Sequence, residues 1–346
     1  NLFFYYIKCM KDIRLGIVGL GRLGYIHANN ILNNIRGAKL VAACSLNNEE
    51  LNKIKNKIND INGYDNYEKM IDQAKLDAII IVSSSNQHYK HSTIALNKGL
   101  HVFCEKPLGI NLNECLGIKK LVDLKKNLIF MLGFMRRYDP SYIYIKENID
   151  KGVIGKPILF RGYSVDPESQ ISNSIKYAKY SGGQFLDMAI HDIDLSRWFL
   201  KSEPKTIFSA GGCYSYPEFS KYKDGDNVTS LMQFKNGSMA FFLAGRTASH
   251  GYNVETEVIG TKATIKIASA PQKSLVQILD NKEIAKECFQ SFQERFKQAF
   301  INEIQEFINC IVQSRKPEIT IEDGIQATLI AEKATESFRE NKQLYF

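Results

Sequence analysis

The chain has 346 residues, is 44% hydrophobic and 24% charged, and carries a formal net charge of +8; that length suits about two soluble domains. The basic residues are scattered rather than blocked, which argues against a nucleic-acid partner, and no run is long and apolar enough to span a membrane. Seven cysteines, an odd number with no C-x-x-C pair, argue against a thiolate zinc site and read as a reduced, cytoplasmic protein.

The opening NLFFYYIKCM is too short for a span and lacks a signal-peptide cleavage region; Met10 is a candidate start, with residues 1–9 upstream-encoded or an extra strand. Residues 14–18 (RLGIV) form a short apolar strand ending in a glycine cluster, and a helical pattern follows over 25–35. A second strand covers 39–45 (KLVAACS), followed by a polar helix from Asn48. LDAIIIVSSS (76–85) reads as a buried strand, and QHYKHSTIALNKG as a helix with Gly99 just past its end. LHVFCEKP is a strand stopped by Pro107. Helix NLNECLGIKKLVDLKK and strand NLIFMLGF complete the series. Apolar strands alternating with helices predict a parallel sheet covered on both faces, a doubly wound domain over residues 12–134.

The rhythm then changes. A helix at about 140–151 leads to Gly155 and strand PILFRGYSV, and then to GGQFLDMAIHDIDLSRW (182–198), which reads as one helix. From 205 to 279 strands alternate with turn signals at KNGS (235–238) and DNK (280–282). NGSMAFFLAGR and VETEVIGTKATIKI read as antiparallel. Two helices, about 292–314 and 321–341, close a second domain spanning 135–346.

GLGRLG places Gly19, Gly21 and Gly24 in G-x-G-x-x-G spacing after a strand and before a helix. The first glycine permits the turn, the second lets backbone approach a pyrophosphate, and the third lets helix and strand pack closely. The alternative is an ordinary glycine-rich turn. After the second strand an acid commonly grips the ribose hydroxyls; here Ser45, Leu46 and Asn47 follow. No arginine replaces the acid, so NAD is the first choice of cofactor and NADP the alternative.

In the 182–198 helix, an advance of 100° per residue aligns Asp187, His191, Asp194 and Trp198 in one stripe, with Asp192 and Ser196 on the opposite face. Three readings stand beside one another: a surface i,i+4 pair, a metal site that adds Asp194, and a general base, His191, oriented by a carboxylate. No further ligand cluster is apparent for the metal. Lys106 ends a parallel strand, where ligands of open α/β sheets lie, and Pro107 restricts it to extended geometry. It is either a solvated lysine or a cation that stabilises a reacting oxygen.

Together, the glycine turn, Glu105-Lys106-Pro107 and the Asp-x-x-x-His helix resemble the Gfo/Idh/MocA family of oxidoreductases over nearly the whole chain. GFMRRYDP (133–140) and GGQFLDMAIHDIDLSRW further resemble its inositol 2-dehydrogenase branch. The resemblance implies a Rossmann domain followed by an α+β domain on an open, mostly antiparallel sheet, whose outer face packs in dimers or tetramers, with the last helix returning to the first domain. It implies Lys106, Asp187 and His191 as the catalytic set, and Arg136, Asp166 (in SVDPES) and Tyr252 (in HGYNVETEVIG) as further substrate contacts. Cofactor candidates are Gly19, Gly21, Arg22, Leu23, Gly24, Ser45, Ser84, Asn86, His88, Glu105 and Lys106. The implied reaction is NAD(P)-dependent oxidation of a cyclic polyol, myo-inositol going to 2-keto-inositol, with lysine and imidazole converging on the carbinol oxygen. Another inositol isomer or a pyranose is the alternative within the family. A non-catalytic NAD(P)-binding regulator is the alternative outside it.

Overall fold

The computed structural model describes residues 11–346 apart from 59, 268–271, 280 and 282–283. Residues 1–10 and the turn expected at 280–282 therefore lie outside the described residues. The chain forms two compact units, one made of the residues up to 138 with Gln298–Gln326, the other of Asp139–Lys297 with Ala327–Phe346. Among the described residues no helix is long and apolar enough to cross a membrane.

The first unit is built on strands β1 (Ile13–Val18), β2 (Ala38–Cys44), β3 (Asn62–Tyr64), β4 (Ala78–Ile81), β5 (His101–Glu105) and β6 (Phe130–Gly133). They form one parallel sheet in the order β3-β2-β1-β4-β5-β6. Helices α1 (Arg22–Asn33), α2 (Asn48–Lys55), α3 (Tyr67–Gln73), α4 (His88–Asn97) and α5 (Leu112–Leu124) link them. Every residue of β4 is fully buried, as expected where helices cover both faces. Strand β3 and helix α3 escape a reading by apolar runs because the strand is only Asn-Gly-Tyr at the sheet edge. The chain order reverses between β1 and β4, so the carboxyl ends of these neighbouring strands, at Val18 and Ile81, form the topological switch point.

The glycine turn sits at that point. Gly19 has φ +87° and bonds its N–H to Cys44 O at 3.0 Å. A Cβ on Gly24 would lie 1.8 Å from Gly19 O, so only glycine lets α1 lie this close to the turn. The core beneath joins Leu15, Ile17, Ile80 and Phe103 to Ile304, Phe307 and Ile308 of the returning segment.

In the second unit the elements run α6 (Pro140–Asp150), β7 (Pro157–Pro167), α7 (Ile171–Ser181), a π-turn (Phe185–Ala189), α8 (Ile190–Leu200), β8 (Pro204–Gly212), β9 (Asn227–Phe234), β10 (Met239–Ala248), β11 (Asn253–Gly260) and β12 (Thr264–Ile267). A hairpin β13 (Gln272–Leu279) and β14 (Ile284–Cys288) follows, then α9 (Phe292–Arg295); α10 (Lys297–Val312) belongs to the first unit from Gln298 on, α11 (Ile321–Glu340) passes from the first unit to the second after Gln326, and β15 (Leu344–Tyr345) closes the second. The large sheet runs β12-β11-β7-β10-β9-β8-β15, antiparallel except where β7 meets β10.

The segment expected as one helix over 182–198 is helical without a break from 184 to 200, but its opening turn is π rather than α. Helix α7 ends at Gly182 and Gly183, both at positive φ, and the chain then takes a π-turn before α8 begins. Asp187 lies in the wide turn and His191 in the α-helix, so an even 100° step does not describe their relation. The face carrying Asp192 and Ser196 is fully buried. Ser164 of β7 donates a hydrogen bond to Asp192 at 2.5 Å, which makes α8 a core helix laid on the sheet, with a satisfied carboxylate underneath.

Gly24→Ala is expected to cost about 1–3 kcal/mol of stability through overpacking, read as a lower Tm. An unchanged melt would show that the turn can open at no cost.

Candidate active site

In the first unit the nucleotide-site candidates gather around the switch point. Gly21 caps α1 without a side-chain hydrogen bond, and a Cβ placed there meets nothing within 4 Å. Helix α1 thus points its amino end, with its partial positive charge, at open space, which is the geometry an anionic pyrophosphate requires. Arg22 and Leu23 form the first turn of α1, Arg22 exposed and Leu23 half-buried. These features fit an NAD-type cofactor.

At the end of β2, Ser45 does not stand alone. Its hydroxyl donates to Glu50 Oε2 at 2.6 Å and accepts from Asn47 N–H at 3.1 Å. Glu50 lies in the first turn of α2, so the fold brings a carboxylate to the position where the strand itself lacks one. Sequence reading missed it because the acid comes five residues later, on another element.

Beyond β4, Ser84 is exposed and donates to Asn86 Oδ1 at 2.8 Å. His88 is buried, with Nδ1 2.7 Å from Pro107 O and Nε2 2.9 Å from Ser83 O. Burial lowers its pKa against the opposing pull of those carbonyls. The ring is committed to the protein, bracing the Ser83–Asn86 turn against the Lys106-Pro107 peptide, which is cis. Lys106 is half-buried at the carboxyl end of β5. Arg136 is buried in the short helix Met135–Tyr138.

Beside Lys106, Glu105 meets two residues that the sequence reading did not single out, His27 and Glu303. His27 Nε2 is 2.8 Å from Glu105 Oε1 and 3.9 Å from Glu303 Oε1, and Lys106 N–H donates to Glu105 Oε2 at 3.3 Å. The rings of Phe103 and Phe300 stand edge-on to the imidazole at 5.8 and 5.6 Å. Neither Glu303 oxygen has a hydrogen-bond partner. Burial, then the nearby Glu105 carboxylate, pushes its pKa well above the ordinary carboxylate range. The three side chains are also close enough together to hold a metal ion. One sequence signal was available: Glu303 interrupts the apolar spacing Phe300, Ile304, Phe307 of α10.

In the second unit, Asp166 and Asp187 are brought together by Arg246 of β10. Its Nη2 donates to Asp187 Oδ2 at 2.8 Å, its Nη1 lies 3.8 Å from Asp166 Oδ2, and its Nε donates to Gln184 Oε1 at 2.7 Å. Gln184 N–H in turn donates to both oxygens of Asp224, at 3.1 and 3.0 Å. The sequence reading paired Asp187 with His191 and overlooked Arg246. Its signal was phase: β10 buries Ala240, Phe242 and Ala244 on one face, and a period of two puts Arg246 on that same inward face. His191 is buried on the first turn of α8. Tyr252 is buried, edge-on to Phe292 and Phe296 at 6.5 and 6.2 Å.

Comparison with known proteins bears on both units. Residues 13–134 match the Gfo/Idh/MocA model described as an oxidoreductase family with an NAD-binding Rossmann fold, and residues 142–266 match the family's C-terminal domain. The chain is 32% identical to scyllo-inositol 2-dehydrogenase (NAD(+)) of Bacillus subtilis, over 95% of this chain and 94% of that one. It is 31% identical to myo-inositol 2-dehydrogenase of Thermotoga maritima, over 96% and 98%. Among solved structures, scyllo-inositol dehydrogenase from Lactobacillus casei with bound NAD(H) and scyllo-inositol superposes with TM-score 0.93 at 42% identity, over 97% and 99%.

The state of Glu303 yields a signed pH prediction. A carboxyl protonated in the native state but ionised in the unfolded chain makes stability fall as pH rises above about 4.3, by up to about 1.4 kcal/mol per unit. Glu303→Gln removes that slope. The variant is expected to match the parent below about pH 4 and to exceed it at about pH 8 in denaturant melts. A variant less stable at the higher pH would show an ionised or metal-bound Glu303.

Proposed function

This chain belongs to the Gfo/Idh/MocA oxidoreductase family, and from that membership we propose that it oxidises one secondary hydroxyl of myo-inositol to the 2-keto compound, with Lys106, Asp187 and His191 as the catalytic set. It is an NAD-dependent dehydrogenase of the inositol dehydrogenase group, acting on CH–OH. The observation that carries the finer reading is the pair of motifs: a lysine at the carboxyl end of a parallel strand and an Asp-x-x-x-His in the second unit.

NAD⁺, when bound, supplies the hydride acceptor. Gly19, Gly21, Arg22, Leu23 and Gly24 would hold its pyrophosphate, and Ser45 with Glu50 its adenosine ribose. Ser84, Asn86 and Glu105 complete the cofactor set, with His88 bracing the turn that carries the first two. In this scheme His191 takes the hydroxyl proton as general base. Asp187 stabilises the imidazolium that results. Lys106 donates a hydrogen bond to the same oxygen and offsets its developing charge. Arg136, Asp166 and Tyr252 fix the remaining hydroxyls, and a site built to pair hydroxyls rejects analogues lacking them.

A second reading, scyllo-inositol as the preferred isomer, is favoured by the 42% identity to the L. casei enzyme that holds that compound. Rates with each isomer, glucose and xylose, followed at the absorbance of the reduced nicotinamide, decide between them. The enzyme works in the cytoplasm as a dimer or tetramer in this proposal. Support comes from six described cysteines that are all free thiols, and from Phe208, Leu231 and Met239 exposed on the sheet, an apolar surface that association would cover.

Lys106→Ala is expected to lower kcat by about 100-fold or more, with NADH affinity, measured by fluorescence, within about threefold of the parent. Near-normal turnover would remove the lysine from the mechanism. Glu50→Gln is expected to raise NADPH affinity about tenfold relative to NADH, since a carboxylate at the ribose repels a 2′-phosphate. An unaltered ratio of the two binding constants would place Glu50 away from the ribose.

A further inference from the structure

The catalytic set proposed above contains an acid, Asp187, whose surroundings hold more charge than the mechanism uses. Three carboxylates, Asp187, Asp166 and Asp224, come from the π-turn, from β7 and from the segment before β9. One guanidinium, Arg246 of β10, faces all three. It donates to Asp187 at 2.8 Å and lies 3.8 Å from Asp166, and it reaches Asp224 through the Gln184 side chain and backbone. Below it lies the ring of Phe219 at 5.6 Å.

The arrangement has a direction. The Arg246 side chain is 5% exposed, against 16% for Asp187 and 27% for Asp166, so the cation lies behind the two carboxylates. The site is also shaped by two backbone irregularities. The π-turn leaves Asp187 the least buried of its five residues, and the pairing of β10 with β7 shifts register between Gly245 and Ala248, around Arg246. Bulges and π-turns are devices that re-aim side chains. Burial works against the charge of Arg246, yet Asp187 and then Asp166 hold its pKa above the ordinary value. A buried arginine with this many acceptors stays charged and stays put.

We propose that Arg246 is a positioning residue of the dehydrogenase reaction: its guanidinium locks the Asp187 carboxylate in one orientation and offsets its charge, and so sets the pH at which His191 becomes a base. The inference rests on the reading of Asp187 and His191 as catalytic. Its physical content is a balance of fields. An uncompensated carboxylate favours the protonated imidazole and keeps the base out of action until higher pH. A cation beside that carboxylate weakens the effect, so the base is ready at lower pH.

The test uses Arg246→Gln and Arg246→Lys in the full-length enzyme, with kcat measured across pH and NADH affinity measured separately. In Arg246→Gln, kcat near neutrality is expected to fall about 100-fold and the midpoint of its pH profile to rise by about one unit, with NADH affinity unchanged. Arg246→Lys keeps the charge but not the fork of donors. Its midpoint is expected to stay at the parent value, with kcat within about tenfold. If Arg246→Gln does not fold, combining it with Asp224→Asn removes one carboxylate left without a counter-charge, and the same two readouts apply. A parent-like midpoint and kcat in the glutamine variant, beside an inactive Asp187→Asn, would overturn the role of Arg246 alone. So would a lysine variant that shifts as far as glutamine does. Full activity in Asp187→Asn would overturn the catalytic set and this inference with it.

Discussion

A polar or charged side chain taken out of water must meet a partner within hydrogen-bond reach, and each unit of this protein is arranged around one such meeting. In the first, His27 and Glu105 pair at 2.8 Å between aromatic rings. In the second, Arg246 holds Asp187 at 2.8 Å. An unpaired buried ion costs several kcal/mol, and a pair whose partner is removed leaves that cost exposed. The pairs therefore constrain every element that contributes to them: α1, β5 and α10 on one side, and the π-turn, β7 and β10 on the other.

The same rule explains why the unusual groups lie beside the residues proposed for catalysis. Glu105 is both the partner of His27 and the neighbour of Lys106, so the segment presenting the lysine is tied down through Glu105. Glu303 has no hydrogen-bond partner, and burial pushes its pKa well above the ordinary carboxylate range. Asp192 meets the rule through Ser164. At the glycine turn the constraint is steric instead: Gly24 against Gly19 O leaves no room for a methyl group, and this closeness aims the amino end of α1 at the cofactor space.

The parallel sheet of the first unit was readable because its signals are local. Apolar runs such as AIII in β4 and turn glycines such as Gly19 and Gly99 owe their meaning to neighbours a few residues away. β3 was not readable, since Asn-Gly-Tyr carries no apolar run and exists only as an edge added to β2. The 182–198 segment misled for a related reason. Its composition is that of a helix, but the two positive-φ glycines and the widened turn change the residue-to-residue angle, and a wheel drawn at a fixed step cannot register that.

The sequence by itself determined the family, the glycine turn, the lysine before proline and the acid-histidine spacing, because each is carried by residues close together in the chain. Only the tertiary structure decided which polar side chains meet. Glu50 came to Ser45 from the following helix, Glu303 to His27 from 276 residues away, and Arg246 to Asp187 from 59 residues away. Pairing energy depends on separation in space and on exclusion of water, and neither quantity is written in the order of the residues.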